Sequence, residues 1–159
     1  MDIYSKTKIL PFSMLLLCCV TPTTYAATPT TADENAIFAA ALFKPFSNRW
    51  MSKCSMGHIS AFEDINKDGR MDAIIKDGGT NCYGNTGVGF YLMTKQANQK
   101  WTRIFNSPGN PVFLKTVGRH GWPDLQIENS SNCFAIYRWD GNKYLINRYE
   151  FNGKICKTL

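Results

Sequence analysis

Apolar positions along this chain follow two rhythms. In TADENAIFAAALFKPF, Ile37, Phe38, Ala41 and Leu42 fall on one face at helical spacing. This predicts an amphipathic helix over about residues 32–44, with that face packed on a core. Thr31 and Glu34 have the spacing of a capping box, Asp33 adds negative charge at the N-terminal end, and Pro45 ends the run. Beyond Cys54 the rhythm shortens. HISAFED, MDAIIKD, VGFYLMTK, KWTRIFN, PVFLKTV, DLQIEN, CFAIYRW and KYLINRYEF are apolar stretches separated by Gly, Asn and Asp, and each predicts a strand. The Asp-Gly of WDGNKY and the Asn-Gly of FNGK predict tight hairpins, and KQANQK a looser polar connection. The expected fold is α+β: an N-terminal helix, then a mainly antiparallel sheet over about residues 57–156.

An internal repeat organises the strands. DGRMDAII (68–75) aligns with HGWPDLQI (120–127), pairing Gly69 with Gly121, Asp72 with Asp124 and Ile75 with Ile127. The hairpin segments GFYLMTKQANQKW and CFAIYRWDGNKY follow in the same order. The sheet is therefore expected to consist of two β-meander-like halves, since a solenoid needs more copies to bury its faces.

The first 26 residues fall outside that scheme. Lys6 and Lys8 precede the apolar run ILPFSMLLLCCV, and TPTTYA follows, with Ala26 as the expected last residue before cleavage. The run is shorter than the ~20 apolar residues of a membrane span and has the layout of a secretory signal peptide. One domain, residues 27–159, is expected in the periplasm or outside the cell, with no membrane span after cleavage. Export changes the reading of Cys54, Cys82, Cys133 and Cys156, which contain no CxxC pair and predict two disulfides. In the repeat, Cys82 and Cys133 each lie just before the hairpin of their own half. That symmetry favours Cys82–Cys133 together with Cys54–Cys156. The formal net charge is +6 for the whole chain, without a dense basic stripe, so nucleic acid is not an expected partner.

Candidate chemistry is concentrated in DINKDGRMD (64–72). Asp64, Asn66 and Asp68 place oxygen side chains at alternate positions, Gly69 permits a sharp turn, Arg70 offers its carbonyl, and Asp72 closes the set. An EF-hand is a poor reading, because Ile75 stands where its bidentate Glu belongs and the flanks are strand-like. The pattern resembles the calcium loops of FG-GAP and VCBS-type repeats, D-x-[DN]-x-D-G-x-x-D followed by an apolar strand. That resemblance implies a structural calcium ion, with a metal-free turn held by the same side chains as the alternative. The second copy keeps the shape and one Asp but not the other ligands. A looser likeness to small exported proteins of Gram-negative bacteria, carried by GGTNCYGNTG and CFAIYRWDGNKY, implies a cell-envelope address and no activity.

Catalysis is not expected. His58 and His120 stand without a motif, the thiols are expected to be oxidised, and neither GxSxG nor HExxH occurs. Glu63, Asp64, Asp77, Asp124 and Glu128 are the carboxylates from which a glycosidase pair would have to come. The glycine-rich segment DGGTNCYGNTGVG (77–89) is instead expected to form a stapled protrusion with Tyr83 at its tip. Thr80, Asn81, Tyr83, Gly84, Asn85 and Thr86 are its candidate partner-binding residues. The expected function is non-catalytic binding: an inhibitor or immunity-type protein that blocks a cell-envelope, peptidoglycan-directed hydrolase. The alternative is a carbohydrate- or cell-wall-binding module using an exposed subset of the aromatic residues Trp101, Trp122, Tyr137, Trp139 and Tyr144, some of which must be core.

Overall fold

The structure is a computed structural model and describes residues 27–128 and 132–157. The predicted signal segment, 1–26, lies outside the described residues. The chain is mostly antiparallel β, in two sheets, with two disulfides. The first sheet has the order β1 (Lys44–Phe46), β2 (Arg49–Met51), β3 (Met56–Glu63), β4 (Asp72–Gly78), β5 (Val88–Lys95) and β6 (Trp101–Pro108). The second runs from β7 (Asn110–Val117) through β8 (Pro123–Glu128), β9 (Phe134–Trp139) and β10 (Tyr144–Phe151) to β11 (Lys154–Ile155). Gly109 alone separates β6 from β7, so the chain changes sheet within one residue. It has φ 101°, and a Cβ there would lie 2.4 Å from the Glu128 carbonyl, so glycine is required.

One helix, α1 (Thr31–Ala40), covers the outer face of the first sheet. Its Ile37 and Phe38 pack with Ala41, Phe43, Ala73, Ile75, Met93 and Trp101. The opposite face of the same sheet meets the second sheet, through Ile74, Phe90 and Leu92 on one side and Trp122, Leu125, Ile127, Trp139 and Tyr144 on the other. Successive strand residues point to opposite faces, so β4 feeds both cores and is buried from Asp72 to Ile75. Truncating Leu92 or Leu125, both fully buried, to Ala would cost about 2–5 kcal/mol.

Several expectations need correction. The α+β description gives way to a mainly β architecture: α1 follows a leader segment, and one-turn helices interrupt the strands that follow it. The cap of α1 is Thr30, whose hydroxyl accepts the Asp33 N–H at 3.1 Å, in place of a Thr31–Glu34 box. The helix ends at Ala40, well before Pro45. Leu42 adopts φ 69°, Phe43 N–H returns to the Phe38 carbonyl at 3.0 Å, and Leu42 N–H to that of Ala39. This is a Schellman closure, with the Phe43 ring packed edge-on against Phe38 at 5.3 Å. Leu42, expected on the buried face, is therefore 70% exposed. The β region begins at Lys44, because the β1–β2 hairpin precedes it.

The disulfides also differ from the expected pairing. Cys54 bonds Cys82, and Cys133 bonds Cys156, so neither Cys82–Cys133 nor Cys54–Cys156 exists. The physical reason is the division into sheets: each bridge ties a loop to its own sheet, and the two halves meet through side-chain packing instead.

The two aligned segments form β4 in one sheet and β8 in the other, and their turns touch. A Cβ on Gly121, at φ 76°, would lie 2.3 Å from the carbonyl oxygen of Asn66 in the acidic turn. Gly121→Ala is expected to cost about 1–3 kcal/mol, combining the left-handed backbone with displacement of the facing turn. Thermal melting of the variant measures it.

Candidate functional site

Two neighbouring features of the first sheet gather the predicted residues: the acidic turn before β4 and the glycine-rich loop after it. In the acidic turn the side chains are engaged with the turn itself. Asp64 Oδ1 accepts the Asp68 N–H at 3.0 Å, and its Oδ2 accepts the Gly69 N–H at 2.8 Å. Asn66 Nδ2 donates to Asp68 Oδ2 at 3.0 Å, and the same oxygen is paired with the Arg70 guanidinium. Arg70 Nε donates to the Lys95 carbonyl at 2.9 Å, fastening the turn to the end of β5.

Asp72 is different. It is 1% exposed, its Oδ2 accepts the Ile65 N–H at 3.0 Å, and its Oδ1 has no hydrogen-bond partner. Burial pushes its carboxyl up to about 6, and the nearby Asp68 charge adds to the rise. Its repeat counterpart, Asp124, is equally buried but fully engaged. Arg138 reaches both of its oxygens, Nε to Oδ1 at 2.8 Å and Nη2 to Oδ2 at 2.7 Å; Thr116 and Arg148 also donate to Oδ2. Burial works to raise the Asp124 carboxyl, but hydrogen bonds from Arg138, Thr116 and Arg148 outweigh it and hold it below the usual carboxylate range. One half thus neutralises its buried aspartate with two guanidiniums. The other leaves it without an ion-pair partner among the described residues.

Asp64, Asn66, Asp68 and Asp72 supply hard oxygens, and the unpaired Asp72 Oδ1 suits a cation. Among the described residues, however, no three His, Cys, Asp or Glu side chains are gathered as metal ligands.

The 77–89 segment is a built loop. It folds into one helical turn, α2 (Thr80–Tyr83), then a 3-10 turn at Gly84–Thr86. The Cys54–Cys82 bridge fastens it on one side. Gly79 N–H meets the Gly87 carbonyl at 3.0 Å across its neck, and the Thr86 hydroxyl donates to the Tyr83 carbonyl at 2.6 Å. Tyr83 is not at the tip. Its hydroxyl donates to Asp77 Oδ1 at 2.5 Å and lies 3.2 Å from the Tyr91 hydroxyl. The ring covers Gly89, where a Cβ would come within 2.3 Å of it. Burial first, then the hydrogen bond to Asp77, pushes the Tyr83 phenol well above its ordinary range. The buried Asp77 also accepts the Ser52 hydroxyl at 2.5 Å. Ser52, Gly89 and Tyr91 were not singled out in the sequence, and Asp77 was named only as a candidate carboxylate, although Asp77 and Gly89 bracket the loop. Thr80, Asn81, Gly84 and Asn85 are left as its exposed surface.

Asp77 and Asp124 are buried and hydrogen-bonded in different sheets, and His58 and His120 are exposed. Of the five aromatic residues among which an exposed binding subset was expected, Trp101, Trp122, Trp139 and Tyr144 are buried in the two cores. No helix among the described residues is long and apolar enough to cross a membrane. Comparison with family models, with curated proteins and with solved structures gave no match.

Proposed function

We propose that this chain is an exported, non-catalytic binding protein that engages another protein through the 79–87 loop, with a cell-envelope hydrolase as the partner class. The observation that carries the proposal is the construction of that loop. Its exposed residues are small and polar, while its underside is held by a disulfide, the Asp77–Tyr83 hydrogen bond and the closed neck. Such a loop loses little conformational entropy on docking, which is how a rigid convex element inhibits an enzyme cleft. The buried carboxylates support the same reading, because Asp77 and Asp124 hold structure together and are withdrawn from solvent. Two disulfides fit an oxidising compartment. Immobilised wild-type protein should capture an envelope protein that Asn85→Arg fails to capture. Retention of the same protein by Asn85→Arg and Thr80→Arg alike would reject the loop.

Calcium enters the proposal as a structural ion at the acidic turn. Asp64, Asn66, Asp68, Asp72 and the Arg70 carbonyl would hold it, and its charge would neutralise the Asp72 oxygen that now lacks a partner. Calorimetric titration should give one site and a higher melting temperature than in chelator. The absence of both heat and melting shift would remove the ion from the account.

A further inference from the structure

The first sheet contains an open edge inside a cleft. β3 pairs with β4 from His58 to Glu63, but with β2 only at Met56 and Gly57. Alternate residues of an antiparallel strand turn their N–H and C=O groups to opposite sides. Part of the backbone between Ile59 and Glu63 therefore faces the β2 side, where no described strand continues the ladder. A bare edge of this kind is a template for another strand. Here it is sheltered. It borders a cleft of about 870 Å³, walled by Ala27–Pro29 of the leader, by Glu34 and Phe38 of α1, and by Asn48, Arg49 and Trp50 of the β1–β2 hairpin.

The shape and charge of this cleft select its occupant. The open stretch is short, about 16 Å at ~3.3 Å per residue. A bulge between Ile59 and Ala61 bends it, which disfavours long flat pairing with a second sheet. Glu34, Glu63 and Asp64 line the cleft against Arg49 and, after the expected cleavage, the α-amino group of Ala27, so carboxylates outnumber cations there. No described hydrogen bond or ion pair occupies the carboxylates of Glu34 and Glu63. Trp50, stacked on Phe38 at 5.3 Å, gives the cleft a rigid apolar wall.

We infer that this cleft binds a short, extended, cationic peptide segment of a partner protein, which adds as a strand to Ile59–Glu63 with a Lys or Arg beside Glu34 and Glu63. Main-chain hydrogen bonds to β3 would supply affinity, and the carboxylates would supply selection. The site is separate from the 79–87 loop and does not depend on it.

The test uses acetylated peptides that alternate Lys with Val, a Glu–Val counterpart, and the Lys–Val peptide N-methylated at alternate amides. Wild-type protein should bind the Lys–Val peptide with a Kd below about 1 mM, and each of the other two at least about tenfold more weakly. The amides of 59–63 should gain protection from hydrogen exchange. Glu63→Lys should weaken the Lys–Val peptide several-fold without moving the melting temperature, Glu34→Lys should do so with a fall of no more than about 5 °C from the lost charge in the first turn of α1, and Asn85→Arg should leave peptide binding unchanged. Equal binding of the Lys and Glu peptides, indifference to N-methylation, or no binding at millimolar concentration would each overturn the inference. Retained partner capture by Asn85→Arg and Thr80→Arg, with this peptide binding behaving as stated, would count against the loop alone.

Discussion

Protein carrying Cys54→Ser and Cys82→Ser should melt roughly 10 °C below the wild type and lose partner capture together with it. The bridge closes a segment with a sequence separation of 28. A loop of that length restricts the unfolded chain by about 3.5 kcal/mol. The Cys133→Ser, Cys156→Ser pair, with a separation of 23, should cost nearly as much stability but spare capture, since it fastens the other sheet. Peptide mapping under non-reducing conditions supplies the companion result: fragments joined through Cys54–Cys82 and Cys133–Cys156. A fragment joining Cys82 to Cys133 would contradict the architecture, because it would tie together two sheets that no disulfide joins here.

The second large effect separates the two buried aspartates. Asp124→Asn leaves Arg138 and Arg148 facing a neutral amide, and breaking a buried ion pair typically costs 3–5 kcal/mol; with Arg138 able to return to water, about 3 kcal/mol is expected. Asp72→Asn should do the reverse in chelator at pH 7. It removes a buried charge whose carboxyl sits at about 6, and gains on the order of 2 kcal/mol.

The pH dependence follows with opposite signs. Asp124 is depressed in the folded state, so its contribution is complete above about pH 4 and disappears as pH falls through its lowered value. Asp72 is raised, so the folded state holds its proton more tightly than the unfolded chain. Its destabilising charge develops as pH rises from about 4 through 6, and metal-free protein should regain stability as pH falls across that window. Saturating calcium should cancel this gain by neutralising the carboxylate. Chemical denaturation at pH 7, pH 5 and pH 3, with and without calcium, measures all these terms. A metal-free Asp72→Asn variant less stable than wild type at pH 7 would show that the charge is compensated by another route.

Much of the strand order was legible because strand residues alternate and their turns carry specific chemistry. Asp140 accepts the N–H groups of Asn142 and Lys143 in the β9–β10 turn, and Asn152 and Gly153 both have positive φ in the β10–β11 turn. Both turns were marked by dipeptides whose backbones tolerate those angles. The end of α1 was not legible, since Leu42 occupies a left-handed position that glycine usually signals. β1 was hidden by its length of three residues and by Pro45, which an edge strand tolerates and a central one does not. The disulfides depended on which loops share a sheet, a property of assembly that cysteine spacing does not encode. Tyr83 was expected at the loop tip. The space above Gly89 and the Asp77 acceptor draw it inward instead.

The most direct measurement compares the captured partner's affinity for wild type, Asn85→Arg and Asp64→Asn by calorimetry. Asn85 is exposed on the stapled loop, whereas Asp64 holds the acidic turn through the Asp68 and Gly69 N–H groups. If the loop carries recognition and the acidic turn only supports it, Asn85→Arg should weaken binding by at least about tenfold, and Asp64→Asn by less than about threefold. The reverse order, with Asp64→Asn abolishing binding and Asn85→Arg leaving it intact, would contradict the account.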